Sequence, residues 1–236
     1  MIRASTRRSN SCAGLHGREP RSNHCTFTRS RIRERALRRQ QTIGLARTDR
    51  TAVSHEQLHD QLPIQESLPW LRTPRLVLRP MTLADAGDVF AYAADPEVLR
   101  YTTGTTPKRP EETHAWLQAV LADPETHMWA IYLADDPSVI GALEFGMPTP
   151  GLGSIHYALG RSHWGAGLMT EAVDAVCRWA TNTLPSLREI TTSVAAANVR
   201  SARVLEKCGF QRVGSAFEVW ERHASPIELH VYRREA

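Results

Sequence analysis

A strand-like segment, a loop with two glycines and an amphipathic helix follow one another without interruption between residues 153 and 180. The segment GSIHYALG has the pattern of a strand, the loop RSHWGAG follows it, and LMTEAVDAV begins a helix with apolar residues on one face. Glycine interrupts regular structure, so Gly165 and Gly167 at a helix entrance indicate that the main chain there must allow close approach. This strand–loop–helix unit limits the fold more than any other segment.

The entrance of that helix has the chemistry of an anion site. The first amides of a helix lack intrahelical acceptors and carry about half a positive charge, so they attract a phosphate when no Cβ blocks the approach. The loop lacks the Gly-Lys-Ser/Thr ending of a Walker A motif and the third glycine of a dinucleotide-binding fold. The motif alone leaves two alternatives open, a phosphate-binding loop and an ordinary tight turn.

Strand and helix patterns alternate in an irregular order along residues 67–236. From the amino end, the predicted order is β–α–α–α–β–β–β–α–β–α–β–β. Thr82 and Asp85 predict a capping box at the first helix, and the acids that follow Pro110 predict the start of the third. Helices scattered among such strands predict an α/β fold with a mixed, mainly antiparallel central sheet that is flanked by helices on both faces.

The positive charge of the chain is confined to its first quarter. Residues 1–66 contain 13 Arg and no Lys against 6 acids, whereas residues 67–236 contain 16 Lys or Arg against 19 acids. With Phe27 as its only aromatic residue, 1–66 is predicted to be a basic, disordered extension, and 67–236 a single folded domain. The acidic domain argues against binding of nucleic acid, except weakly through the basic tail. The tail is either an anchor to RNA or to an acidic surface, or an extension without a function.

The four cysteines of the chain form no Cys-x-x-Cys pair, which is typical of reduced thiols in the cytoplasm. No segment has the apolar run of a signal peptide or of a membrane span. The cysteines and histidines between residues 12 and 25 match no common zinc spacing, so we predict no metal site. We expect a cytoplasmic protein that has no membrane partner and is a monomer or a homodimer.

A second motif, NVRSARVLEKCGF, begins at Asn198. Together with WGAGLMTEA from Trp164, it resembles the GCN5-related N-acetyltransferase (GNAT) superfamily, in particular the branch of ribosomal-protein N-terminal acetyltransferases of the RimJ/RimL type. The entrance TPRLVLRP also matches, and the resemblance covers residues 70–233. It implies an acyltransferase that uses acetyl-CoA as its co-substrate and requires no metal.

The resemblance also implies which residues bind acetyl-CoA. The loop and the first helical amides would bind the pyrophosphate, and the strands at 157–159 and 192–195 would splay apart to admit the pantetheine arm. Asn198 would bind that arm or orient the thioester, whereas Ser162 stands where the superfamily often has Gln or Arg. The implied site consists of Tyr157, Ala158, Leu159, Ser162, His163, Trp164, Gly165, Ala166, Gly167, Leu168, Met169, Thr170, Asn198 and Ser201.

Acetyl transfer to an amine requires a base, because a lysine-like amine with a free pKa near about 10.4 must lose a proton before it attacks. Glu144 is the first candidate, since it shares a predicted strand face with Ile140 and Ala142 near the centre of the sheet, where burial raises the pKa of a carboxyl group. His156 on the adjacent strand is the second candidate. The alternative for both is that they are ordinary strand residues. Each side chain would then face solvent, or Glu144 would pair with an arginine.

The leaving thiolate needs less assistance, since its thiol has a pKa of about 8.5. Much of the superfamily places a tyrosine acid seven residues after the asparagine, where this chain has Leu205. Ser201 is therefore the candidate acid or hydrogen-bond donor to the sulfur, with capping of its own helix as the alternative role. Glu171, in the first turn of its helix, is interpreted as a structural support for the loop.

The predicted function is transfer of an acetyl group from acetyl-CoA to a primary amine, and by resemblance to a protein N-terminus. A small amino-acid-like or aminoglycoside amine is an alternative acceptor, and a non-catalytic acyl-CoA sensor is an alternative function. The segments that would select the acceptor, 95–115, 147–152 and 221–226, contain no motif that identifies it.

Overall fold

The computed structural model describes residues 68–123 and 126–236. The predicted extension 1–66 lies outside the described residues. The strands are β1 (Leu71–Arg72), β2 (Leu76–Pro80), β3 (Thr126–Leu133), β4 (Gly141–Thr149), β5 (Leu152–Leu159), β6 (Glu189–Ala195), β7 (Gln211–Glu218) and β8 (Ile227–Glu235). The α-helices are α1 (Ala86–Ala93), α2 (Pro96–Leu99), α3 (Pro110–Leu121), α4 (Leu168–Thr183) and α5 (Val199–Lys207).

The described strands form one eight-stranded sheet in the order β1-β2-β3-β4-β5-β6-β8-β7. All neighbouring described strands pair antiparallel except β5 and β6, which run parallel because α4 carries the chain back between them. The mixed, mainly antiparallel sheet is therefore confirmed. The element order is also confirmed, with the short β1 and two 3₁₀ turns as additions.

Side chains that alternate along the strands pack against helices on both faces of the sheet. One face bears the larger core, in which Trp129, Leu143 and Phe145 pack with residues of α4 and α5. The opposite face carries Met128, Ala130 and Ala142, which pack with residues of α1 and α3. We call these the α4/α5 face and the α1/α3 face.

A third cluster covers the far part of the α1/α3 face. Ala195 at the end of β6 packs with Leu229 and Trp220, and Tyr101 adds a partly buried ring. Ala195 belongs to this face because its neighbour Val194 packs in the core on the α4/α5 face. The α1/α3 face is thus covered over β3–β4 and again at β6–β8, with an interval between the two clusters.

The predicted capping box is present on the 3₁₀ turn Leu83–Asp85, which leads directly into α1. The main-chain N–H of Thr82 donates to the carboxylate of Asp85 over 2.8 Å, and the main-chain N–H of Asp85 donates to the carbonyl of Thr82 over 3.2 Å. Arg79 at the end of β2 also binds the Asp85 carboxylate, and Asp85 is buried. These contacts fix the angle at which the chain leaves the sheet for α1.

Candidate active site

Both glycines of the loop before α4 have backbone angles that favour glycine. The φ angle is 81° at Gly165 and 75° at Gly167, in the left-handed region. A Cβ built on Gly165 would meet no heavy atom within 4 Å, and on Gly167 the nearest would be Arg75 Nη2 at 3.7 Å. The glycines are thus required by the turn, and the outer side of this turn is open for a ligand.

The first turn of α4, next to this open turn, has main-chain amides without acceptors inside the helix. The N–H of Glu171 donates to the carbonyl of Gly167 over 3.1 Å and forms the first hydrogen bond of the helix. The amides of residues 168–170 precede this bond, so they have no acceptor within the helix. Their donors and the positive end of the helix dipole suit an anion.

Glu171 ties this loop to the start of β2. Its carboxylate accepts hydrogen bonds from the Thr73 hydroxyl, from the Arg75 main-chain N–H at 2.9 Å and from Arg75 Nε at 2.7 Å. Arg75 Nη1 donates to the carbonyl of Ala166 over 2.8 Å. Burial by itself would raise the pKa of Glu171, but the hydrogen bonds from Thr73 and Arg75 outweigh it and lower the pKa. These contacts agree with the structural role expected for Glu171.

Trp164 fastens the loop to the end of β5. Its indole Nε1 donates to the carbonyl of Leu159 over 2.7 Å, and its ring packs on the core of the α4/α5 face. The guanidinium carbon of Arg200, on α5, lies 5.3 Å from the centroid of the same ring. Arg75 and Arg200 are thus cations that contact the loop of the candidate anion site, and neither was predicted from the sequence as part of it. Their positions follow from contacts across 91 and 36 residues of sequence, which no local pattern reveals.

The two parallel strands next to the loop separate along their length. β5 and β6 pair only from Leu152–Glu189 to Ser154–Thr191, although β5 continues to Leu159 and β6 to Ala195. At the point of separation the Thr192 hydroxyl donates to the Ile155 carbonyl over 2.8 Å. The strands therefore form a fork beyond Ser154 and Thr191, and this fork opens at the end of the sheet where the glycine loop lies.

Asn198 and Ser201 lie at the start of α5, just past the end of β6. The side-chain oxygen of Asn198 accepts from the main-chain N–H of Ser201 over 3.2 Å, so Asn198 caps the helix, a role that the sequence analysis offered as the alternative for Ser201. The Ser201 hydroxyl instead lies 2.8 Å from the Tyr157 hydroxyl. Asn198 is left with its side-chain NH₂ as the group that could donate to a bound arm.

The two candidate bases are brought together on the α1/α3 face. The strand register places Glu144 of β4 directly opposite His156 of β5, and both side chains are half-buried. Ser154 and Ser193 lie on the same face by alternation. Glu144, Ser154, His156 and Ser193, which we call the polar strip, occupy the interval between the two apolar clusters of that face.

Two of the segments expected to select the acceptor contact each other. Arg222, between β7 and β8, donates from Nη2 to the carbonyl of Leu99 over 2.6 Å and to that of Arg100 over 2.9 Å. The same nitrogen donates to the carbonyl of Thr102. The contact fixes the loop after α2 beside the third cluster, at the β6–β8 end of the polar strip.

Within residues 68–123 and 126–236, no three His, Cys, Asp or Glu residues are grouped in a way that could hold a metal ion. The helices of the same part include none that is long and apolar enough to cross a bilayer. Cys177 and Cys208 are buried free thiols, and burial raises their pKa values to about 11 and about 12, so neither is a nucleophile near neutral pH.

Comparison with known proteins places this site in a family. Residues 75–211 match the family described as "Acetyltransferase (GNAT) domain". The uncharacterized N-acetyltransferase p20 of Bacillus licheniformis is 32% identical over 167 residues, which span 69% of this chain and 93% of that protein. The uncharacterized N-acetyltransferase YoaA of Bacillus subtilis is 28% identical over 169 residues, 70% of this chain and 95% of that protein.

Solved structures share the fold. RimL, a ribosomal L7/L12 alpha-N-protein acetyltransferase in complex with coenzyme A, superposes with a TM-score of 0.63 at 16% identity, covering 71% of this chain and 98% of RimL. A spermidine N-acetyltransferase from Vibrio cholerae in complex with CoA and spermine gives a TM-score of 0.61 at 16% identity, covering 69% and 96%. At these identities the likeness concerns the fold alone.

Proposed function

Since the chain belongs to the GNAT family of N-acetyltransferases and uses acetyl-CoA as its co-substrate, we propose that it transfers the acetyl group to the primary amine of a protein N-terminus. The family membership gives the reaction type, an acyl transfer from a thioester to nitrogen. The proposal concerns the acceptor and the residues of this chain that hold the two substrates.

The observation that carries the proposal is the position of the fork beside the glycine loop. The pyrophosphate of acetyl-CoA would lie on the amides of residues 168–170, over Gly165, whose outer side is open. The pantetheine arm would enter between β5 and β6 where their pairing ends, and its amides would bond the main chain of 157–159 and 192–195. Residues of the loop and of the fork then hold opposite ends of one ligand.

The polar strip supplies the base in this arrangement. The amine attacks the thioester carbonyl carbon, the carbon–sulfur bond breaks, and the amine proton passes to Glu144 directly or through water. His156 lies next to Glu144 and is the alternative base. Both side chains face the side of the sheet opposite Tyr157, so the base and the leaving sulfur would approach from different faces of the fork.

The interval between the two apolar clusters of the α1/α3 face supports an extended acceptor. It is bordered by the loop that Arg222 holds and by the cluster of Ala195, Leu229 and Trp220. A peptide N-terminus could lie along the polar strip with its amine near Glu144. A small amine is the second candidate acceptor, since the same fold occurs in a spermidine N-acetyltransferase.

The test is an assay of the full-length protein with acetyl-CoA and matched amines. The panel pairs a peptide that has a free N-terminus and no lysine with the same peptide carrying a blocked N-terminus and one lysine, and it includes spermidine. Release of free thiol gives the rate, and mass spectrometry locates the acetyl group. The proposal expects the first peptide to be acetylated at its α-amine at the highest kcat/KM.

Each other result has a distinct meaning. Turnover of spermidine alone would overturn the protein acceptor and favour the second candidate. Calorimetric binding of CoA without turnover of any amine would favour a non-catalytic acyl-CoA sensor. Absence of CoA binding would contradict the assignment of the loop and the fork.

A further inference from the structure

One contact in the fork has no role in the function proposed so far. The Tyr157 hydroxyl, from β5 beyond the end of its pairing with β6, lies 2.8 Å from Ser201 Oγ and 3.3 Å from the Ser201 carbonyl oxygen. It spans the α4/α5 side of the fork, because Tyr157 pairs with Leu143 in the register and both belong to that face. The two hydroxyls therefore meet beside the path proposed for the pantetheine arm.

The surroundings keep the Tyr157 hydroxyl protonated. Burial raises its pKa, which the hydrogen bond with Ser201 only partly offsets. The other titratable groups that act on it are the thiols of Cys177 and Cys208 and the hydroxyl of Tyr232, which raise its pKa further. The phenol therefore keeps its hydrogen near neutral pH, and both Ser201 oxygens, Oγ at 2.8 Å and the carbonyl oxygen at 3.3 Å, lie within its reach as acceptors.

Ser201 is held from two directions. Its main-chain N–H is fixed by the side chain of Asn198 over 3.2 Å, and its hydroxyl oxygen meets Tyr157. If Tyr157 donates to Oγ, the hydroxyl proton of Ser201 is directed to a third partner, since an alcohol has one proton and two lone pairs. Ser201 also stands in the first turn of α5, whose dipole favours negative charge nearby.

We propose that Tyr157 is a positioning residue that directs the hydroxyl of Ser201 to the sulfur of CoA, so that Ser201 stabilises the leaving thiolate. This inference rests on the proposed function, because it requires the thioester to lie in the fork. In this chain a tyrosine on β5 would assist the leaving sulfur, whereas much of the superfamily uses a tyrosine on the helix that follows the asparagine. At that helix position this chain has Leu205, whose side chain is wholly buried.

The chemistry requires no net proton transfer from either hydroxyl. As the carbon–sulfur bond breaks, its electron pair remains on sulfur, and the hydroxyl of Ser201 donates a hydrogen bond to the thiolate. Tyr157 donates to Ser201 and polarises that hydroxyl. The amine proton goes to the base on the opposite face, and the thiolate takes its own proton from water after release.

The decisive measurement is the pKa of the thiol of bound CoA. The full-length protein is titrated with CoA, and the ultraviolet absorbance of the thiolate is followed against pH as a difference from the complex with desulfo-CoA, which cancels the protein's own thiols. Stabilisation of the thiolate should place the pKa of the bound thiol below that of free CoA. Tyr157→Phe and Ser201→Ala should both return it toward the free value, and Ser201→Thr should retain the shift.

Activity and a matched tyrosine complete the test. Loss of one hydrogen bond to a charged sulfur predicts a fall in kcat of about 10- to 100-fold for Ser201→Ala, and a smaller fall for Tyr157→Phe, with CoA affinity nearly unchanged. Tyr232→Phe is the control, since Tyr232 is buried in the core against which Tyr157 packs, but its hydroxyl approaches Glu206. It should change neither the thiol pKa nor kcat.

Several results would overturn the inference. A normal thiol pKa in the wild-type complex would exclude thiolate stabilisation, and a shift lost in Ser201→Ala but kept in Tyr157→Phe would exclude Tyr157. If Tyr157→Phe folds poorly, 3-fluorotyrosine at position 157 replaces it. Its more acidic phenol should lower the thiol pKa further, and no change would count against the inference. Absence of CoA binding by the wild-type protein would instead contradict the proposed function.

Discussion

At the scale of single residues, the facing pair of Glu144 and His156 is the point where the reaction can be dissected. The register places the two opposite each other, so either could take the proton of the amine while the other orients it. Neutral substitutions separate the two roles. Glu144→Gln removes the carboxylate that could accept the proton, and His156→Asn removes the imidazole that could relay it.

Glu144→Gln should lower kcat/KM by about 10²- to 10⁴-fold, the usual contribution of a general base, while CoA affinity stays within about twofold. His156→Asn should cost less. Steady-state kinetics with calorimetry of CoA binding would measure both. The control is Glu228→Gln, which removes a glutamate that lies near a histidine on β8 and should leave turnover unchanged. A larger loss in His156→Asn than in Glu144→Gln would make His156 the base.

The ionised carboxylate of Asp85 is expected to stabilise the fold. Burial would raise the pKa of Asp85, but the hydrogen bonds from Arg79 and Thr82 lower it below 3.8 overall. A carboxyl group whose pKa is lower in the folded than in the unfolded state stabilises the fold at every pH above its unfolded-state pKa. This stability is lost as the pH falls through the folded-state pKa. Asp85→Asn should therefore reduce the free energy of unfolding by about 1.5–3 kcal/mol at neutral pH.

The measurement is urea unfolding of both proteins at neutral pH and in acid. The difference between them should shrink as the pH falls from the ordinary value of 3.8 through the lower pKa of Asp85 in the folded protein. Asp123→Asn, in the turn between α3 and β3, provides the same chemical change at another site for comparison. An equal difference at both pH values would contradict the role of the charge.

Residue contacts were predictable from the sequence only where they are local. The Thr82–Asp85 capping box was predicted because its partners are three residues apart and follow a known pattern. The contact between Tyr157 and Ser201 was not, because 44 residues separate them and the loop, α4 and β6 lie between. Glu144 and His156 could be named, but their direct opposition depends on the register of β4 with β5.

At the scale of elements, the entrance of α4 combines a backbone requirement with a binding surface. Gly167 is the N-cap of α4 and has a left-handed backbone, and Gly209 has the same conformation just beyond α5, where an added Cβ would meet no heavy atom within 4 Å. Substitutions at these two glycines therefore separate the loss of stability caused by backbone strain from the loss of CoA affinity caused by blocking the binding surface.

Gly167→Val and Gly209→Val should each lose about 1–2 kcal/mol of stability, since an L-residue is strained in the left-handed region. Only Gly167→Val should weaken CoA binding, by about 30-fold if two phosphate hydrogen bonds of about 1 kcal/mol are lost. Thermal unfolding and calorimetric titration with CoA give the two quantities. Unchanged affinity in a folded Gly167→Val protein would remove the loop from the binding site.

The sequence predicted the longer elements well, because their periodicity reflects burial on one face. It missed β1, which is only two residues long and becomes a strand by pairing Leu71 with Leu78 and Arg72 with Val77. A two-residue strand has no period to detect. Its existence depends on β2, and therefore on tertiary structure.

For the molecule as a whole, the first described residues matter to the core. Leu68 is buried and packs in the core on the α4/α5 face. The indole Nε1 of Trp129, a fully buried residue of the central sheet, donates to the carbonyl of Pro69 over 3.0 Å. The folded domain that we propose for 67–236 thus needs its first residues for packing.

A protein that begins at residue 67 should keep its thermal midpoint, its affinity for CoA and its rate of acetyl transfer. A protein that begins at residue 75 should be less stable and bind CoA more weakly, because it lacks Leu68, the Pro69 carbonyl and the Thr73 hydroxyl that supports Glu171. Thermal unfolding and calorimetry would compare both with the full chain. Loss of activity on removal of 1–66 alone would show that the basic segment takes part in the function.

The hydrogen-bonded pairing of β5 with β6 ends early, at Ser154 and Thr191. Beyond this point β5 remains paired with β4, and β6 with β8, but β5 and β6 no longer pair with each other. A pantetheine arm bound between β5 and β6 would pair with the main chain of both strands. Hydrogen exchange of the main-chain amides at 156–159 and 193–195 should therefore slow when CoA is added. The binding of the co-substrate would thus complete a sheet that the chain alone leaves partly unpaired.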